Sequence, residues 1–370
     1  MRPGSGEQPP RTDSDRLLAS EQLPRLRITR GRVIASLVFV VSIVAFLYFG
    51  LPKLVGLGSE LRHLRKGNVW WLLVAALLEV GSFLGYIALF RAVFVHRTAR
   101  IEWRTSYEIT MAGLAATRLF AAAGAGGIAL TVWSLRRAGM ERRLVASRMV
   151  AFMSLLYAVY MGTLVICGLG LYLGAFAGQA PFAITVVPAI FGGVVILLVT
   201  SISALPTDFE RVVGLWTHGS GWVAIAARRT AAIPAAAASG VRTAISLIRG
   251  GDLGLLGAPA WWGFDIATLW ASFHAFGASP PHAVIIMAYF VGWIANTLPL
   301  PGGVGGVEGG LIGAFSAFGV SVPSAVVAVL AYRAFSFWLP TIPGAVAYFQ
   351  LRRRVHRWRQ QDPASAPAGG

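Results

Sequence analysis

Charge is what this sequence has least of. Of its 370 residues only 13% are Asp, Glu, Lys or Arg, 56% are hydrophobic, and the mean hydropathy is +0.67. So few charges cannot cover a water-facing globular surface, which excludes a soluble protein. The one cysteine, Cys167, lies inside an apolar run, so no intrachain disulfide forms and it reads as helix packing. Six histidines show no metal-ligand spacing, so neither a metal site nor a cofactor is expected. No GxxxxGK[ST] phosphate loop occurs, which leaves the chain without an ATPase engine of its own. Residues 1–30 have no apolar core and no cleavage-like site; they read as a disordered cytoplasmic tail rather than a removable signal. Lysine is nearly missing too, 2 against 30 arginines, which a GC-rich genome explains. The net charge of +17 raises nucleic acid as a partner, but the basic residues lie between apolar runs and not on an aromatic-interleaved soluble module.

What is present is a series of apolar runs, among them "VIASLVFVVSIVAFLYFGL", "WWLLVAALLEVGSFLGYIALF", "MVAFMSLLYAVYMGTLVICGLGLYLG" and "FAITVVPAIFGGVVILLVTSISAL". A span needs about 20 mostly apolar residues. The chain is therefore expected to be an all-α polytopic membrane protein with its membrane domain at 31–351, a surface segment at 205–252 and a basic, then disordered tail at 352–370. Between Tyr107 and Leu135 the glycines Gly124, Gly126 and Gly127 interrupt a 29-residue stretch, which either crosses once or folds back. Folding back places 26 of the 32 basic residues on the side of the N-terminus, whereas a single crossing leaves 11 there and 19 opposite. The positive-inside bias favours the hairpin, with both termini cytoplasmic. A second break, "NTLPLPGGVGGVEGG", places Pro301, Gly302, Gly303 and Gly305 in a turn. Residues 281–320 then form either a re-entrant hairpin or two short full spans joined by a loop; charge does not separate the two. The expected bundle has about six full spans plus two glycine-rich re-entrant or broken hairpins of opposite polarity, arranged as an inverted repeat like that of many transporters. Trp70, Trp71, Trp261 and Trp262, near run ends, read as an interfacial aromatic belt.

"LPLPGGVGGVEGGLIGAFSAFGV" followed by "AYRAFSFWLPTIPG" resembles the closing signature of the lysylphosphatidylglycerol synthase transmembrane family, the membrane domain of the multiple peptide resistance factor. The matching positions are Pro301, Gly302, Gly303, Glu308, Gly319, Arg333 and Pro340, and the resemblance spans residues 30–350. Where that family often carries a Pro-Gly turn with an acid in the first hairpin, this chain reads "FAAAGAGGIALTVWSLRRAGM", with the glycines and the basic exit but no acid. The resemblance implies a helical domain handling phospholipid or glycolipid headgroups. It also implies no lysyl-lipid synthesis, because the sequence ends soon after its basic tail, without an aminoacyl-transfer domain.

Ionisable side chains inside a bilayer cost about 2.5–3.5 kcal/mol each and usually face a cavity or a partner. Five stand in or beside apolar runs: Glu79, Arg118, Asp265, Glu308 and Arg333. Arg333 offers a guanidinium fork for phosphate oxygens, or else pairs with Glu308 to lock the last helix. Glu308, just past the glycine turn, caps a half-helix, or binds a cationic headgroup, or exchanges a proton. Glu79 and Asp265 are structural hydrogen-bonders or proton carriers. Asn296 satisfies backbone groups freed by the break. The main expectation is a flippase- or scramblase-like translocator of the bacterial plasma membrane, not an enzyme, with anionic phospholipids or lipid-linked headgroups as partners. The alternative is a non-transporting scaffold or regulatory partner of an envelope-synthesis or lipid-biosynthesis enzyme. A sugar-transfer enzyme is disfavoured, since the exterior loops hold few acids besides Glu60.

Overall fold

A computed structural model describes residues 67–95, 101–119, 125–203, 237–297 and 305–360, and among these every regular element is helical. The helices are α1 (Val69–Phe94), α2 (Trp103–Leu119), α3 (Ala125–Arg137), α4 (Arg142–Tyr172) and α5 (Phe182–Ser203). Then follow α6 (237–249), α7 (Gly257–Ala275), α8 (His282–Trp293), α9 (Gly306–Ala317), α10 (Val322–Arg333) and α11 (Leu339–Gln360). A 3-10 turn, Ile294–Thr297, extends α8, and a π turn, Ala334–Trp338, joins α10 to α11 without a break.

Four elements among the described residues are long and apolar enough to span a bilayer: α1, α4, α5 and the continuous α10–α11. This is fewer than the six expected. The run at 33–51 lies outside the described residues, as does 204–236 of the expected surface segment. The remaining shortfall is α7, which at 19 residues is long enough but not apolar enough. It need not be, because α7 packs along the whole of α1 in the middle of the bundle and turns little surface outward. Gly85 and Gly257 allow that approach: a Cβ on Gly257 would lie 2.3 Å from the Gly85 carbonyl oxygen. Small residues bring helices together this way where lipid supplies no hydrophobic drive.

Both glycine-rich regions form hairpins of short helices. At 1.5 Å per residue the 12 residues of α8 and the 12 of α9 reach only about 18 Å, short of a ~30 Å hydrocarbon core. Neither α8 nor α9 alone is long enough to span the hydrocarbon core. Each hairpin closes on a glycine pair: a Cβ at Gly127 would meet the Gly113 oxygen at 2.6 Å, and one at Gly310 the Gly292 oxygen, also at 2.6 Å. Gly126 and Gly127, expected in the first turn itself, are already helical in α3, because close packing is what requires Gly127 there. Gly124, Pro301, Gly302 and Gly303 lie outside the described residues. Gly305 starts α9 with φ +87°, a left-handed conformation that suits glycine.

The two hairpins enter the bundle from opposite ends. α2 begins beside the end of α1, where Arg91 donates to Ser106 Oγ and Arg148 at the start of α4 donates to the Phe94 carbonyl. α8 begins at the other end, where Asn68 N donates to the Ala275 carbonyl and Trp270 stacks on His282. The hydrophobic core divides accordingly. One cluster, with Phe90, Leu135, Phe152 and Leu351, surrounds the first hairpin, and a second, with Phe273, Phe290, Phe315 and Val329, surrounds the other.

Candidate functional site

Between the two clusters lies a cavity of about 280 Å³. The tips of both hairpins line it: Thr117 on α2, Gly127 and Thr131 on α3, Trp293 on α8 and Asn296 on the 3-10 turn. Glu79 and Ser82 of α1, Asp265 of α7, and Arg333 and Ser336 of the last helix supply most of its remaining polar lining. By liquid volume it would hold on the order of nine waters, enough for a phosphate headgroup but not for acyl chains. Ile128 on α3 and Tyr157 on α4 line it while staying 40% and 50% exposed. Among the described residues, then, the cavity is not fully enclosed at these two helices.

Of the five ionisable residues expected to matter, the structure brings Glu79, Asp265 and Arg333 to this one cavity. Glu308 stands one bond away. Arg333 Nε donates to Glu308 Oε1 at 2.7 Å, and both residues are buried, at 5% and 3% exposure. The second oxygen, Oε2, accepts from the Gly305 amide at 2.7 Å. Glu308 therefore caps α9 and pairs with Arg333 at once, so the two structural roles read from the sequence coexist. Arg333 also lies over the Phe337 ring, 5.1 Å from its centroid. Arg118 lies in the last turn of α2, directly after the cavity-lining Thr117; its side chain is outside the described part.

Two buried partners of Asp265 escaped the sequence reading. Tyr289 and Tyr332 both donate to Asp265 Oδ2, Tyr332 at 2.9 Å, which ties α7 to α8 and α10. Tyrosine had been counted as hydrophobic in both runs. The available signal was that a buried tyrosine hydroxyl usually needs a partner, and that Asp265 in an apolar run needs a donor. Trp261 and Trp262, expected in an interfacial belt, line the cavity instead. The reason is α7's central position, which buries Trp262 to 9% exposure and gives its indole N–H to the Leu156 carbonyl at 2.9 Å. Trp70, at 78% exposure, does sit on the outer surface.

A further ion pair anchors the first hairpin away from the cavity. Arg354 on α11 grips Glu108 on α2 through two hydrogen bonds, 2.7 and 2.8 Å. Glu108 is 1% exposed, while the Arg354 side chain keeps 20% of its surface. Nearby, Gly344 lets α11 approach the Met111 carbonyl, which a Cβ would meet at 2.8 Å. Among the described residues no three His, Cys, Asp or Glu side chains converge as a metal cluster would.

Comparison with known proteins adds the following. The profile of the family described as lysylphosphatidylglycerol synthase TM region matches residues 33–344. Two UPF0104 membrane proteins of Methanothermobacter thermautotrophicus are similar. One is 35% identical over 109 residues, 29% of this chain and 31% of its own length. The other is 25% identical over 336 residues, 85% of this chain and 95% of its own. No solved structure matches.

Proposed function

This chain belongs to the lysylphosphatidylglycerol synthase TM-region family, and from that premise we propose that it translocates phospholipid or glycolipid headgroups across the bacterial plasma membrane, with both termini on the cytoplasmic side. The observation that carries this reading is the polar cavity, lined by Glu79, Asp265 and Arg333 and not enclosed at α3 and α4 among the described residues. A headgroup entering between α3 and α4 reaches Thr131, then Arg333, while its acyl chains stay in the bilayer. The Arg333 guanidinium is the anchor for phosphate oxygens, which compete with Glu308 for its N–H groups. Two further features support alternating access. The order long helix, short hairpin, long helix occurs in α1–α4 and again in α7–α11. In addition, each hairpin packs on the closing helix of the other set, α2 on α11 and α8 on α4. We read this as an inverted repeat, whose halves rock about a fixed central site.

The test is reconstitution. Trace fluorescent phospholipid in vesicles containing the protein should become accessible across the bilayer faster than in protein-free vesicles, and Arg333→Gln should slow it at least tenfold. An unchanged rate over several lipid classes, with correctly folded protein, refutes the reading. A second reading, a non-transporting scaffold for an envelope-synthesis enzyme, draws on the closed Arg333–Glu308 pair, which holds the hairpin shut without any ligand. It requires cellular function to survive Arg333→Gln and a synthase to copurify.

A further inference from the structure

The first hairpin meets the last helix at a second hollow, separate from the central cavity. A cleft of about 350 Å³ lies between the start of α2 and the later half of α11, lined by Arg104, Glu108, Gln350, Arg353 and Arg354. The carboxylate of this set is already committed: Glu108 is buried, and Arg354 donates to both of its oxygens, at 2.7 and 2.8 Å. Arg104 reaches the same carboxylate only at 3.5 Å and keeps 73% of its side chain exposed. Arg353 is exposed as well. Glu102, an exposed acid just ahead of α2, does not line the cleft. The sequence flanking the lining, residues 96–100 and 356–361, adds four arginines and no acid.

Beside the arginines the surface is apolar. Ile342, Val346, Phe349 and Arg353 follow at i, i+4, i+7 and i+11, a spacing that puts them on one stripe of α11, and all four are exposed. On α2, the exposed rings of Trp103 and Tyr107 stand next to Arg104 and Glu108. The helix that carries the stripe is long and apolar enough to span a bilayer over Val322–Val355, which puts Arg353 at its end. Arginine at the end of a span, with aromatic rings beside it, is the pattern of a headgroup boundary.

We propose that this cleft binds the phosphate of an anionic phospholipid, whose acyl chains lie along the stripe from Ile342 to Phe349, and that the bound lipid clamps α2 to α11. The phosphate accepts from Arg104 on one helix and Arg353 on the other, bridging them across the buried Glu108–Arg354 pair. A soluble anion would use the arginines without the stripe, and a neutral lipid the stripe without the arginines; an anionic phospholipid uses both. The site does not rest on the translocator reading, since the lipid here is held and not moved.

The test uses the full chain in dodecyl maltoside with phosphatidylcholine, its melting temperature followed as dioleoylphosphatidylglycerol is added. A ligand of the folded chain raises that temperature with concentration, so the titration gives an apparent affinity. An arginine beside anionic lipid is worth about fivefold. Arg104→Gln and Arg353→Gln should therefore each weaken phosphatidylglycerol about fivefold and the double variant about twenty-five-fold, while Arg143→Gln, at an exposed arginine of α4, should stay within twofold. No rise in the wild type, or an undiminished rise in the double variant, overturns the site. Equal weakening by Arg143→Gln also overturns it, because the attraction would then belong to the whole basic surface. Inorganic phosphate at the same bulk concentration should give no rise; an equal rise makes the occupant a free anion and overturns the lipid assignment. If Arg104→Gln does not fold, Arg353→Gln decides alone, since Arg353 is exposed and takes no part in the Glu108 ion pair.

Discussion

The two hairpins are built alike and charged differently. Each closes on a glycine pair at the same 2.6 Å approach, and each sends its tip to the central cavity. The second brings an ion pair with both partners buried, Glu308 with Arg333, and uses the same carboxylate to cap its own returning helix. Among the described side chains, the first lines the cavity with threonine hydroxyls and has an ion pair, Glu108 with Arg354, at the edge of the bundle, where the arginine is partly hydrated. Glycine contacts thus bring each pair of helices together, and the described carboxylates, Glu108 and Glu308, sit at different depths along them.

Removing each carboxylate breaks this comparison most sharply. Glu308→Ala strands a buried guanidinium and an uncapped helix, and should cost about 3–5 kcal/mol of stability, measured by unfolding in mixed micelles. The glycine contacts come next. Gly127→Ala and Gly310→Ala should each cost about 1–3 kcal/mol by overpacking, and a large difference between them would mean that the hairpins do not share one device. Glu108→Ala should cost only about 1 kcal/mol, because Arg354 can turn to water; a loss equal to that of Glu308→Ala would erase the distinction between the two pairs. The smallest effect belongs to Thr131→Val, within about 0.5 kcal/mol in stability, yet it should slow headgroup translocation severalfold if the threonine wall contacts the headgroup.

Sequence reasoning reached the ionisable residues better than their surroundings. Glu79, Asp265 and Arg333 were singled out because a charge inside an apolar run must face something polar, and they do line one cavity. The Glu308–Arg333 pair, 25 residues apart, was readable because glycine clusters imply a returning half-helix that begins at Glu308. Tertiary position was not readable. Nothing in "GAPAWWGFDIATLWASFHA" says that α7 lies at the centre of the bundle, and without that fact Trp261 and Trp262 look interfacial and α7 looks like an ordinary span. Tyr289 and Tyr332 were invisible for the same reason: hydropathy counts a tyrosine ring and ignores its hydroxyl, whose partner sits on another helix. Gly127 illustrates a third cause, since a glycine needed for closeness has the same letter as one needed for a turn.

The wide turn after Arg333 has a mechanical meaning. Pro340 has no N–H to offer the Ser336 carbonyl, and Ala334–Trp338 winds as a π turn just ahead of it. An α-helix advances about 100° per residue, so the single residue inserted there sets the angular phase between two halves of one rod. The upper half aims Arg333 at the cavity; the lower half turns Gly344 toward Met111 and Arg354 toward Glu108. Deleting one residue from the π turn would leave the helix continuous and swing its lower half by about 100°, uncoupling the clamp on the first hairpin from the site held by the second. The last helix works as a keyed shaft, and the π turn is its key.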